Sequence, residues 1–237
     1  MGNREFVVRT LAIDTSLANG SVAAVDAGRE VMVPLGPAGD HARRLASALV
    51  EAATRLGWHP RDVELVAVVR GPGSFTGLRV GVASAKAIAW TGGARLVGVS
   101  GFELIAERTA GWLGAPEPVA IAFDAGRGEV YSAVLRRDAT TNRWRVGPSS
   151  LDRLDAWIAG LPPCTVVSGP GLLHDSDRWA ARPDIRMAPP EACVTDARDA
   201  ARMAHTIAMA GGHDDPATLV PEYLRPSYAD ERQARTP

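Results

Sequence analysis

The chain has 237 residues, 46% of them hydrophobic, which is enough to close one large core or two smaller ones and excludes an intrinsically disordered chain. Lys and Arg total 26 against 27 Asp and Glu, so no excess of positive charge exists to hold a polyanion over a broad face, and contact with nucleic acid calls for help from another subunit. Cys164 and Cys193, far apart in sequence, do not make up the dense cysteine framework typical of an oxidising compartment and read as two buried thiols of a cytoplasmic protein. The polar start Met1–Glu5, followed by an apolar run that Arg9 and Asp14 interrupt, resembles neither a signal peptide nor a membrane span, and a cytoplasmic location is expected.

Taken in chain order, Val7–Ile13 is β-prone and ends at Asp14-Thr15-Ser16, and Ser21–Val25 returns as a second strand. Asp40 stands at the N-cap of a predicted helix from His41 to Leu56, whose Leu45, Leu49, Ala52 and Leu56 share one face before Gly57 ends it. A buried strand over Val63–Val69 then meets Gly71-Pro72-Gly73-Ser74-Phe75-Thr76-Gly77, and a helix of small residues runs on to Trp90. Three glycines leave main-chain amides uncovered, and the helix that follows aims its positive end at the same point, which describes an anion cradle. Along that helix Gly77, Gly81, Ala85 and Ala89 recur every four residues, a bare ridge that suits close packing against a partner or against the chain's own sheet.

Leu96–Val99 reads as a strand and Phe102–Thr109 as a short helix, and the Gly and Pro content of Gly111–Pro118 marks a linker. The opening plan then repeats. Val119–Phe123 ends at Asp124-Ala125-Gly126, and Glu129–Val134 returns as a strand, so Asp14 and Asp124 occupy equivalent strand ends. Strand, acid and hairpin repeated at domain-sized separation predict an internally duplicated α/β fold of two lobes, residues 1–111 and 112–215, with a cleft between them. Helices are expected at Asp152–Ala159 and Thr195–Ala210, with short strands at Cys164–Val167 and near Ile185. The tail, residues 216–237, contains Pro221, Pro226 and Pro237 and is expected to dock on the first lobe through Leu219, Tyr223 and Leu224.

The chemistry this sequence carries is sparse. Asp14 and Ser16 suit the metal ion or phosphate of a nucleotide, and they suit equally a local cap of the hairpin turn. The glycine-rich loop is not a P-loop, because its Gly-x-x-x-x-Gly-Lys-Ser/Thr spacing is absent and Lys86 lies more than two helical turns beyond it. Arg79 and Lys86 share a helical stripe and either meet carboxylates on a partner or stay solvated; Arg127 sits in the second hairpin turn. None of the five histidines, His41, His59, His174, His205 and His213, has another four residues away, no Gly-x-Ser-x-Gly elbow occurs, and neither cysteine has an activating context.

Five segments in order, Leu11–Ser16, Gly71–Gly81, Gly98–Ser100, Asp124–Tyr131 and Pro221–Arg225, resemble the TsaB (YeaZ) family. The resemblance implies an actin-like duplicated fold of the ASKHA, ribonuclease H-like type. It also implies a scaffold role in placing threonylcarbamoyl on N6 of the adenosine beside the anticodon of tRNAs reading A-starting codons. The expected partners are the catalytic paralogue TsaD, the ATPase TsaE, tRNA through the complex, and a second copy of the chain in isolation, with no membrane. No cofactor is expected to bind this chain tightly; ATP or ADP belongs at most to the assembled complex, with Asp14, Ser16, Gly71, Gly73, Ser74 and Gly77 as a degenerate cradle. The metal-binding histidine pair of the paralogue falls on Gly101 and Ile105, so no catalytic or metal-ligating residue is expected here. By the same resemblance the first-lobe helices form the pairing surface, through His41, Leu45, Leu49, Gly77, Gly81, Ala85, Lys86 and Ala89. The alternative from a different class is an actin-like ATP-dependent enzyme or a metallopeptidase that works through its own inter-lobe cleft.

Overall fold

A computed structural model describes residues 8–114, 118–173 and 182–225. Met1–Glu5, His174, residues 115–117 of the expected linker and residues 226–237 of the expected tail lie outside the described residues. In chain order the elements are β1 (Thr10–Asp14), β2 (Gly20–Asp26), β3 (Arg29–Gly36), α1 (His41–Arg55), β4 (Leu65–Gly71), α2 (Phe75–Gly92), β5 (Arg95–Ser100) and α3 (Gly101–Leu113). They continue with β6 (Val119–Gly126), β7 (Glu129–Arg137), β8 (Trp144–Val146), β9 (Ser150–Arg153), α4 (Leu154–Gly160), β10 (Val166–Ser168), β11 (Arg186–Met187) and α5 (Ala197–Met209). Among the described residues no helix is long and apolar enough to cross a membrane.

The chain divides into two compact units, one reaching to Leu104 and returning for Thr195–Pro221, the other holding Ile105–Val194 and the chain from Glu222. In the first unit the sheet order is β3-β2-β1-β4-β5, antiparallel across β3-β2-β1 and parallel across β1-β4-β5. β1 and β4 are near-continuous apolar runs because both faces of the sheet centre are covered. Strand alternation sends Leu11, Ile13, Val66 and Val68 to one core with Leu45, Leu49 and Val82 of α1 and α2. Ala12, Ala23 and Ala67 face the other way, against Ala197, Ala200, Ala201 and Ala204 of α5. Small residues on both sides let that helix approach the sheet closely.

The second unit repeats the order as β11-β10-β6-β7-β8, with β9 also paired to β7. Here β6 runs antiparallel to β7 and parallel to β10, as β1 does to β2 and β4. Asp14 and Asp124 take the same local turn, each accepting the backbone N–H two residues on, Ser16 at 2.9 Å and Gly126 at 2.8 Å. The fold is the duplicated actin-like, ribonuclease H-like α/β fold, and each copy carries its acid at the corresponding place.

Several expectations need correction. The boundary expected between residues 111 and 112, near the end of α3, falls instead between Leu104 and Ile105 in its first half, and Thr195–Pro221 belongs to the first unit because the alanine stripe of α5 matches the alanine face of β1, β2 and β4. The expected tail divides: Leu219 is buried in the first core, whereas Arg225 pairs with Glu129 in the second unit. Asp152 and Arg153 belong to β9, paired with Glu129 and Val130, so α4 starts at Leu154. Asp40 stands at the N-cap of α1 without a side-chain capping bond; its carboxylate takes Arg43 at 2.8 Å. Cys164 is exposed, and only Cys193 is a buried thiol.

Candidate functional site

The end of β1, the turn after it and the glycine-rich loop form one contiguous site in the first unit. Ser74 caps α2, its Oγ accepting from Gly77 N at 3.3 Å, and its own N–H donates to Ser16 O at 2.8 Å. Thr15 Oγ1 donates to Gly77 O at 2.7 Å. A Cβ on Gly73 would overlap Ser16 O, and one on Gly77 would overlap Thr15 O. Asp14, Ser16, Gly73, Ser74 and Gly77 are therefore neighbours in the structure, with Gly71 buried at the end of β4. The amides of Ser74 and Gly77, however, are occupied by Ser16 O and Ser74 Oγ rather than turned to a ligand. The glycines serve close backbone packing here.

Asp14 is buried, and its Oδ1 accepts from Ser16 N at 2.9 Å and Ser16 Oγ at 2.6 Å. Burial pushes its carboxyl above the ordinary 3.8; the Ser16 hydroxyl and amide and the His41 ring pull it down, and the Asp196 charge pushes it up. For a carboxyl raised in the folded state, the stabilising contribution is complete below the unfolded value and is lost as pH rises through the folded one. Asp14→Asn keeps the acceptor oxygen without the buried charge. It is expected to be more stable than the parent at pH 8, with the difference closing as pH falls toward 4, measured by denaturant unfolding across that range.

Of the eight residues expected at a pairing surface, seven are buried within the chain and Lys86 is half-buried. Gly81 lies against Thr15 Oγ1 and Ile13, and Ala85 and Ala89 are buried in the core of the first unit, so the ridge packs on the chain's own β1 and β4. Leu45 and Leu49 are buried in the same core. His41 is buried too, with Nε2 3.2 Å from Gly20 N, 3.2 Å from Ala18 O and 3.1 Å from Gly36 O, so its imidazole plugs the turn between β1 and β2. Lys86 donates to Leu219 O at 3.0 Å and clamps the returning segment, in which Asp214 also bonds Leu96 O and Gly98 N on the β5 edge. The ridge faces inward because only Gly and Ala leave room for the Thr15–Ser16 backbone.

What α1 and α2 present outward is a different set. Phe75 is 42% exposed, Trp90 71% and Val50 51%, with Ala42, Ala46, Ala83 and Ala87 also exposed and Arg79 stacked over the Phe75 ring at 4.5 Å. Exposed apolar residues at three- and four-residue spacing were the available signal in the sequence. The opposite face carries the more regular pattern, Gly and Ala every four residues.

Gly101 opens α3, and Ile105 one turn later is fully buried. A residue without a side chain and an alkyl group offer no lone pair, so these positions do not fit a metal ion. Among the described residues no group of three His, Cys, Asp or Glu is placed to hold one.

Residues 27–164 match the family model described as TsaD: tRNA N6-adenosine threonylcarbamoyltransferase. Fold, loop and match define an actin-like protein of the TsaD-related class. Over 132 residues the chain is 36% identical to tRNA threonylcarbamoyladenosine biosynthesis protein TsaB of Escherichia coli (strain K12), covering 55% of this chain and 56% of that protein. Over 228 residues it is 32% identical to an uncharacterized protein of Mycobacterium tuberculosis (strain H37Rv), covering 94% of each. YeaZ from Pseudomonas aeruginosa shares the fold, with a TM-score of 0.74 at 24% identity over 92% of this chain and 100% of that one. The chain belongs to the TsaB (YeaZ) family, and it spans about half the length of the curated TsaB relatives it matches.

Proposed function

We propose that this protein is the non-catalytic partner of a threonylcarbamoyltransferase, required for transfer of threonylcarbamoyl to N6 of the adenosine beside the anticodon in tRNAs that read codons starting with A. One observation carries the reading: a family related to that transferase has here Gly101 and Ile105 at the two positions where the resemblance places a metal-binding histidine pair. The polypeptide keeps the fold and lacks the ligands.

In this reading the outer faces of α1 and α2, with Val50, Phe75, Ala83 and Trp90, pair with the transferase TsaD, or with a second copy of this chain when the transferase is absent. An ATPase of the TsaE type joins the pair, and ATP or ADP is bound by the assembly rather than held tightly here. Pairing stabilises the productive form of the transferase by the linkage that applies to any ligand of one state.

The test is reconstitution. Transferase, ATPase, tRNA, threonylcarbamoyl-adenylate and metal are combined with and without this chain, and modified adenosine is quantified. Formation only in its presence is the expected result; equal formation without it, or turnover of ATP or peptide by the isolated chain, would remove the proposal.

A further inference from the structure

The hairpin joining β7 to β8 in the second unit concentrates charge that the chain as a whole lacks. Arg136, Arg137, Arg143 and Arg145 stand within ten residues that hold one acid, Asp138, in a protein of net charge −1. The hairpin is fastened from one side. Arg137 lies over the Trp144 ring at 4.4 Å and donates to Glu107 Oε2 at 3.0 Å, and Trp144 Nε1 donates to the same oxygen at 2.8 Å. Its turn is also closed tightly: Asp138 Oδ1 accepts from Thr140 N at 2.9 Å and Thr141 N at 2.8 Å, and Asn142 takes a φ of 54°.

The other side is cationic. Arg136 pairs across the ladder with Arg145, Arg137 with Trp144, and Asp138 N bonds Arg143 O, so strand alternation puts Arg136, Arg143 and Arg145 on the face opposite Trp144. All three are exposed, Arg145 with 77% of its side chain accessible. Arg145 touches Asp138; among the described residues neither the Arg136 nor the Arg143 guanidinium has a hydrogen-bond or ion-pair partner. Like charges directly opposite on a ladder destabilise it, and stability gives no reason to set Arg136 against Arg145. A row of guanidiniums on a stiff ribbon is suited to successive phosphates.

We infer that the Arg136, Arg143 and Arg145 face of this hairpin is a contact site for the phosphate backbone of RNA. Calling the polyanion RNA rests on the function proposed above; the cationic face itself does not. The contacts go to phosphates and carry no base specificity, so they orient and retain the RNA while another surface selects it.

Fluorescence anisotropy of the full chain with an unmodified tRNA transcript, between about 50 and about 200 mM salt, tests this. Substituting Arg136, Arg143 and Arg145 together by Ser is expected to weaken binding about tenfold or more and to lower the slope of log affinity against log salt by about 2. Arg29→Ser, Arg55→Ser and Arg61→Ser combined remove the same charge elsewhere and are expected to weaken it less than about threefold. No measurable binding by the parent chain at low salt, unchanged binding by the hairpin variant, or equal losses in both variants would overturn the inference. So would a hairpin variant that loses pairing with the transferase but keeps its tRNA affinity, since the face would then belong to an acidic protein surface. Should the triple variant not melt cooperatively, Arg143→Glu alone, at an exposed turn position, gives the answer: weakening of about threefold or more supports the site and none rejects it. If modification proceeds without this chain while hairpin variants still lose RNA, the functional reading falls and this one stands.

Discussion

Gly77→Ala is expected to destabilise the first unit by about 3 kcal/mol, the upper end of what overpacking a filled site costs. A methyl at this position would overlap Thr15 O, a backbone atom that cannot turn aside as a flexible side chain does. To make room, the Thr15–Ser16 strand end must withdraw from α2, which breaks the Thr15 Oγ1 bond to Gly77 O and strains the Ser74 N–H bond to Ser16 O. Alanine's better helix propensity, about 1 kcal/mol, offsets only part of this. A chain of this size then melts roughly 6–12 °C lower. Gly92, in the last turn of the same helix, meets nothing within 4 Å, and Gly92→Ala should leave the melt unchanged or raise it slightly. A Gly77→Ala protein that melts with the parent would mean that the ridge does not lie on Thr15.

That contrast also shows where the sequence was informative. α1 and β1 were legible because Leu45, Leu49 and Ala52 at helical spacing, and the run from Leu11 to Ile13, each have one way to be buried. The ridge on α2 was legible as a close contact but not in its direction, since a stripe of Gly and Ala fits a neighbouring chain as well as its own sheet. What decided it was Thr15, whose carbonyl and hydroxyl occupy the space the glycines leave. β3 was not legible because Arg29–Gly36 opens on two exposed charged residues and carries Pro34, leaving only Val33 and Leu35 buried in an edge strand, and β8 because three residues are too short for a periodic signal. The unit to which α5 belongs was unreadable for a different reason: alanines mark a face as close-packed without naming what it packs on. At the candidate site, the turn at Asp14 and its copy at Asp124 were visible as a repeated pattern. The occupation of the loop amides by Ser16 and Ser74 needed three dimensions, as did the opposed arginines of the hairpin.

Trp90→Ala is expected to reduce affinity for the transferase by 2 kcal/mol or more, about thirtyfold or greater, while leaving the fold intact. The indole is 71% exposed near the end of α2, so its removal opens no cavity in the chain itself. Large aromatics at interfaces act as anchors because they bury much apolar area and lose few rotamers on ordering. Ala83→Glu probes the same face by the opposite route. Ala83 is exposed two turns before Trp90, and a carboxylate there is harmless in water but becomes an unpaired charge once a partner covers it. Both variants should melt like the parent, fail to co-elute with the transferase on size exclusion, and lower threonylcarbamoyladenosine formation in the reconstituted reaction. Excess of the Trp90→Ala chain should restore modification, because the defect is one of affinity and mass action can offset it. If either variant pairs and supports modification as well as the parent, the outer faces of α1 and α2 are not where the partner sits, and the pairing surface has to be sought elsewhere on the first unit.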